Sequence, residues 1–224
     1  MSIYIKLGVH FKRDFQLNRH IIIILLMYIE NDTKNIMELT MTDKMANGIL
    51  FIIAGIGSIV AYIALGETGL LDKGHTEKFA AYALLTFPLA FMMTRNVVRN
   101  TYLDAGLIII VVGLSMGLVS DAIRSAELGA EFKSIGEAIA STGWSIMYLG
   151  IFITAIGYLR TKLFPNWLSG LLALTSFVMF AFLAVLNGEQ LEKHGDNIIP
   201  PLWMINSLVL VILGIFTMRR SELD

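Results

Sequence analysis

The chain has 224 residues, of which 56% are hydrophobic and 16% charged, and its formal net charge is −1. An average soluble domain carries about 25% charged residues, so this composition, with a mean hydropathy of +0.70, points to a membrane protein. A balance this close to neutral lacks the clustered basic face of nucleic-acid binding. The absence of cysteine excludes disulfides, thiolate catalysis and Cys-ligated metal or iron–sulfur centres.

The chain begins with a basic segment (Lys6, Lys12, Arg13, Arg19) followed by an apolar stretch from Ile21 to Ile29. A helix needs about 20 apolar residues to cross a hydrocarbon core of about 30 Å, so this stretch is too short to span. No small-residue cleavage site follows it, as a signal peptide would require. Residues 1–44 therefore read as an N-terminal extension that precedes a functional start at Met41 or Met45 or is dispensable; the alternative is a surface-lying helix.

From residue 45 to 220 the sequence holds six apolar runs: Met45–Gly66, Lys78–Thr94 with Pro88 inside it, Thr101–Ser120, Ser134–Leu159, Trp167–Asn187 and Pro201–Met218. None alternates polar and apolar residues as a barrel strand does, and a backbone in lipid must satisfy its own hydrogen bonds. The expected fold is an all-α, polytopic membrane bundle of six transmembrane helices arranged as three related hairpins. Lys44, Arg95, Arg99, Arg160, Lys162, Arg219 and Arg220 flank the spans on one side, which by the positive-inside rule is the cytoplasmic one. Both termini are expected inside. Loops on the other side are acidic, and two of them carry similar strings, LDKGH (71–75) and LEKHG (191–195).

Between the fourth and fifth runs, Arg160 and Lys162 stand where headgroup phosphates lie, Pro165 breaks the helix, and Trp167 suits the interface. This turn belongs to a longer pattern, G-x-L-x-x-x-L-x-P-x-W-L (Gly157, Leu159, Leu163, Pro165, Trp167, Leu168), followed by a span, a polar loop and a proline-led last helix, PPLWMINSLVLVILGIF. The stretch from Gly157 to Arg220 resembles a family of prokaryotic six-helix integral membrane proteins of unknown function. The resemblance implies the six-helix fold and the prokaryotic inner membrane, and no reaction. Such proteins often carry an acidic residue in the last helix, where this chain has Asn206, so no role is carried over for it.

Charged and polar groups inside spans cost about 2.5–3.5 kcal/mol at a helix centre for a charge and so mark function. Glu137 is the one carboxylate clearly inside a run, and Ser134, Ser141, Ser145 and Tyr148 share its face of the helix. Asp121, Arg124 and Asn187 lie near the same membrane level, with Trp203, Asn206 and Ser207 on the last helix. Together Glu137, Ser141, Ser145, Asp121, Arg124, Asn187, Trp203 and Asn206 form a candidate polar pocket opening outward. Glu137 and the serines also read as a hydrated carboxylate and interhelical packing groups. Asp121 and Arg124 are spaced for an intrahelical ion pair.

No catalytic residue, metal ligand or cofactor is assigned. There is no Walker loop, GxSxG, HExxH or GxGxxG, and no histidine lies in a span to hold a haem. His75 and His194, in separate acidic loops, lack metal-ligand spacing. Gly113 and Gly117 form a GxxxG, which serves helix packing within the chain or a homodimer. The sequence thus predicts a non-enzymatic membrane component binding a small or lipid-like ligand, or a protein partner, through the outward pocket. The alternative is a small-solute transporter with Glu137 as its coupling carboxylate, and a membrane-embedded enzyme comes third. The lipid bilayer is the expected surrounding partner.

Overall fold

The computed structural model describes residues 43–220 apart from 67, 127, 128 and 187, and excludes the side chains of Lys73 and of 188–196. The extension assigned to residues 1–44 lies almost wholly outside the described residues. Those described form helices and no strand: α1 (Asp43–Gly66), α2 (Lys73–Val97), α3 (Thr101–Ser125), α4 (Ala130–Thr161), α5 (Asn166–Val185) and α6 (Gly188–Arg219). The last part of α1, Val60–Gly66, is wound as a π-helix.

Five helical segments are long and apolar enough to cross a membrane: Asp43–Gly66, Thr101–Ser125, Ala130–Thr161, Asn166–Val185 and Asn197–Arg219. The exception to the expected six is α2. Its 25 residues rise about 37 Å, enough to span, but Glu77, Lys78, Tyr82, Thr86 and Pro88 dilute its apolar character. Large apolar side chains nonetheless recur on the exposed surface of α2 (Phe79, Leu85, Leu89, Met92) as they do on α1 (Ile49, Ile53, Ile56, Val60, Ile63). Exposed apolar stripes of this extent suit lipid rather than water as solvent.

Local chemistry sets the helix ends. The Asp72 carboxylate accepts the His75 N–H at 2.9 Å and caps α2, and that bond, with the contact to the His75 ring, holds its carboxyl below the ordinary carboxylate range. Asn100 caps α3 by accepting from the Tyr102 N–H. Helix α4 stops at Lys162 in the left-handed conformation (φ 54°), and Pro165 then opens α5, as the sequence of this turn predicts. One expectation is corrected. The last helix is not proline-led: it begins at Gly188 and runs through Pro200 and Pro201. Two consecutive prolines forfeit the N–H bonds to the carbonyls one turn earlier, at the start of the apolar segment Asn197–Arg219, without stopping the helix.

Close approach of backbones organises the packing. Along α4, Gly136, Gly143, Gly150 and Gly157 recur every seventh residue and face α3. A Cβ on Gly150 would lie 2.6 Å from the Ile110 nitrogen and 2.8 Å from the Gly106 oxygen; one on Gly143 would lie 2.7 Å from the Gly117 nitrogen. Gly113 faces the Gly143 oxygen in return, so the GxxxG of α3 is covered by α4 inside the chain rather than left as a free surface for a second copy. The pair α1 and α6 meets in the same way, with Gly55 against the Ser207 oxygen and Gly214 against the Gly48 oxygen. Without a hydrophobic drive between helices in lipid, such small-residue seams supply the van der Waals contact that holds a bundle together.

The remaining contacts close a ring. Phe51 of α1 meets Phe91 of α2 edge-on at 5.3 Å, Arg95 of α2 pairs with Asp104 of α3, and Phe152 of α4 packs on Phe177 of α5. Thr175 and Ser176 of α5 donate to the Asn206 side-chain oxygen of α6 at 2.9 and 3.4 Å. The helices therefore follow one another around a central axis in chain order, and α6 returns to α1.

Candidate functional site

At the end of the ring where α1 stops and α2 begins, the axis opens into a vestibule of about 570 Å³ to which all six helices contribute. Its rim is charged. Arg124 reaches Asp121 at 3.5 Å on α3, and Lys133 reaches Glu137 at 3.7 Å on α4. Each pair joins residues three or four apart on one helix, so the rim carries two cations and two carboxylates that offset one another. Gly136 lets Arg124 lie there, since a Cβ at this position would fall 2.7 Å from the Arg124 Cγ.

Below the rim the wall is hydroxylated and aromatic. Ser58, Ser141 and Tyr148 line it, together with Trp144 and Trp203. The Tyr62 hydroxyl donates to Glu77 Oε2 at 2.6 Å, which ties the end of α1 to the start of α2. The Tyr62 ring stands edge-on to Trp203 at 6.2 Å. Leu84, Ala140, Met147, Met179, Leu183, Ile199 and Pro200 complete the lining. A smaller void of about 30 Å³ lies deeper, against Ala54, Asn206 and Ser207, and shares Leu84, Met147, Tyr148 and Trp203 with the vestibule.

Of the residues the sequence proposes, Glu137, Ser141, Asp121, Arg124 and Trp203 are brought together on the vestibule wall. Asn206 belongs to the deeper void instead; its amide donates to the Leu202 carbonyl at 3.1 Å while its oxygen accepts from α5. Ser145 does not reach the cavity. It is buried, it donates to the Thr142 carbonyl at 2.8 Å, and it lies two turns before Phe152 on the side of α4 that packs against α5. The spacing 137, 141, 145 drifts by about 40° per step on a helix of 3.6 residues per turn, which carries the third serine off the cavity face. Asn187 lies outside the described residues. The Glu137 side chain is 52% exposed and stands on the vestibule wall rather than in the packed interior of the bundle.

Sequence reasoning missed Lys133, Trp144, Ser58 and Tyr62. The first two stand one turn before and two turns after Glu137, and that spacing was legible. Tyr62 needed the contact between α1 and α2, for which the sequence carries no local signal. Among the described residues no three His, Asp or Glu side chains gather as a metal site; His75 is held by Asp72 at 2.6 Å, and the side chain of His194 is not described. Where a hydroxyl meets a carboxylate at the vestibule, it is the phenol of Tyr62 on Glu77. What the vestibule offers is a half-open cavity with offset charges at the rim and hydroxyl and indole groups within. Comparison with protein-family models, curated proteins and solved structures gave no match.

Proposed function

We propose that this chain is a non-enzymatic component of a prokaryotic inner membrane that binds a small or lipid-like ligand in the vestibule. In this reading all six helices cross the bilayer, both ends are cytoplasmic, and the vestibule opens outward. The basic residues at the opposite end of the ring, among them Arg95, Arg160 and Arg219, support that orientation. The observation that carries the reading is the cavity of about 570 Å³ on the ring axis, a size typical of small-molecule sites, with a few polar groups set in an apolar and aromatic wall. The six-helix family resemblance agrees with the architecture and adds no activity.

The chain has three tryptophans, and Trp144 and Trp203 line the vestibule. In a Trp167→Phe background they are the only indoles left, so their fluorescence reports the site. Titration with a water-soluble, dibrominated short-chain phosphatidylcholine should give saturable quenching that an Arg124→Gln/Glu137→Gln double variant weakens at least fivefold. Titration with urea and with glycerol should shift the emission if the ligand is a small polar molecule instead. No saturable response to any of the three would remove support for a ligand site.

A further inference from the structure

The vestibule does not end at a uniformly apolar floor. On α1, Asn47, Phe51, Ala54 and Ser58 follow one another at spacings of three and four and share one face. Ser58 lines the vestibule and Ala54 the deeper void, so Phe51 and then Asn47 continue the same face toward the basic end. Helix α5 repeats the pattern from the opposite direction, with Met179 on the vestibule, Leu172 on the void, and Ser169 beyond it. Asn47 is 3% exposed and Ser169 fully buried. The Asn47 side-chain oxygen and the Ser169 hydroxyl are the buried side-chain polar atoms that find no hydrogen-bond partner among the described residues.

Between the void and these two groups lies packed core, in which Phe51, Phe91 and Tyr158 form an aromatic cluster with Phe164. Phe91 meets Phe87 at 4.8 Å and Phe51 at 5.3 Å, and it stacks on Tyr158 at 6.1 Å. The cluster is pinned by hydrogen bonds. Thr94 donates to the Phe91 carbonyl at 2.8 Å, which leaves its oxygen to accept from the Tyr158 hydroxyl at 2.6 Å. A buried polar group left unpaired is costly, and more so in a lipid-facing bundle. Two such groups, on the faces of α1 and α5 that also line the vestibule and the void, have a ready explanation if a polar molecule satisfies them in another state.

We infer that the ring axis is a translocation path for a small uncharged polar solute, entered through the vestibule and closed in this structure by the Phe51–Phe91–Tyr158 cluster. The class of solute follows from the rungs. Beyond the rim the polar groups on these faces are, among the described residues, amides and hydroxyls such as Ser58, Ser141, Asn206, Asn47 and Ser169, with no charge to stabilise an ion, and an ion in mid-membrane is expensive. Amides and hydroxyls both donate and accept, which suits a molecule the size of urea or a short polyol. The inference rests on the vestibule being open to water, and it narrows the ligand of that site from small or lipid-like to small and neutral.

The absence of cysteine from the chain permits a direct test with single-cysteine variants and a small neutral thiol reagent, 2-hydroxyethyl methanethiosulfonate. Ser58→Cys reports the vestibule, Asn47→Cys and Ser169→Cys report the axis beyond the aromatic cluster, and Ile110→Cys, in the α3–α4 seam, reports a buried site off the axis. With reagent on both sides, the Asn47 and Ser169 variants should react at least tenfold faster than the Ile110 variant. With reagent only on the vestibule side of sealed vesicles, adding Phe51→Ala to Asn47→Cys should raise its rate at least tenfold; Phe51→Leu serves if the alanine variant does not fold. If Ser58→Cys reacts while Asn47→Cys and Ser169→Cys stay as inert as Ile110→Cys, the path is overturned and the ligand site stands. An unreactive Ser58→Cys overturns both. A rate at Asn47→Cys indifferent to residue 51 overturns the aromatic closure.

Discussion

Helix α4 presents two faces that could hardly differ more. One carries Gly136, Gly143, Gly150 and Gly157 and lies against α3 so closely that a single methyl group on Gly150 would meet the backbone of Ile110 and Gly106. The other carries Lys133, Glu137, Ser141, Trp144 and Tyr148 and looks into open space. The comparison teaches how a bundle in lipid keeps a cavity. Helices lacking a hydrophobic drive to associate need dense contact somewhere, and here the seams α3–α4 and α1–α6 supply it. One end of the bundle between those seams can then stay open as the vestibule while the rest packs as core.

The largest effect is expected where the seam is tightest. Gly150→Leu places a branched side chain against backbone atoms that cannot rotate away, and overpacking of this kind costs about 3 kcal/mol or more. Thermal unfolding in detergent should drop sharply, or the variant should fail to accumulate as a monodisperse species. Gly170 on α5 is the control, since a Cβ there meets nothing within 4 Å. Replacing it with alanine should stabilise the protein by about 0.5–1 kcal/mol through helix propensity alone. Equal destabilisation by both changes would mean that the seam is no tighter than the rest of α4 and α5.

How much of this was legible follows the same division. The helices were readable because apolar runs of spanning length have few other outcomes, and the turn at Arg160–Trp167 was readable from its own chemistry. The seams were half readable: the GxxxG at Gly113 stands out, but the heptad of glycines on α4 was overlooked because its period crosses polar and apolar residues alike. Three of the four rim charges were readable, Glu137 as a carboxylate inside an apolar run and Asp121 with Arg124 from their ion-pair spacing, while Lys133 was missed. Ser145 was misplaced because a stripe drawn on serines alone ignores the drift of a helix against a four-residue step. The Asn47 and Ser169 rungs were invisible, since a lone amide and a lone hydroxyl near helix ends are ordinary until burial shows them unpartnered.

An intermediate effect is expected at Trp144, which belongs to both faces. Its indole lies across Gly117, where a Cβ would fall 2.7 Å from the ring, and its other surface lines the vestibule. Trp144→Ala should cost about 2 kcal/mol, below the 3–5 kcal/mol typical of a fully buried tryptophan because part of the ring already faces the cavity. Trp144→Phe should recover most of that stability while leaving the cavity larger. If Phe rescues nothing, the indole matters for its N–H rather than for cover, and the seam does not depend on it.

The smallest effect on stability should come from Glu137→Gln, and that is what makes the variant informative. Glu137 is 52% exposed and 3.7 Å from Lys133; ion pairs of this kind contribute roughly 0–1 kcal/mol, and i,i+4 pairs on helices about 0.3–0.5. The unfolding temperature should therefore stay within a degree or two of the parent. Ligand occupancy read from Trp144 and Trp203 should change with it, because losing the carboxylate leaves Lys133 uncompensated and tilts an offset rim toward positive charge. A stability loss of 2 kcal/mol would instead mark Glu137 as a buried structural charge, and the open face of α4 would then be part of the core. An unchanged fold with altered occupancy places the carboxylate where the geometry has it, at the threshold of a cavity held open by glycines on the other side of the same helix.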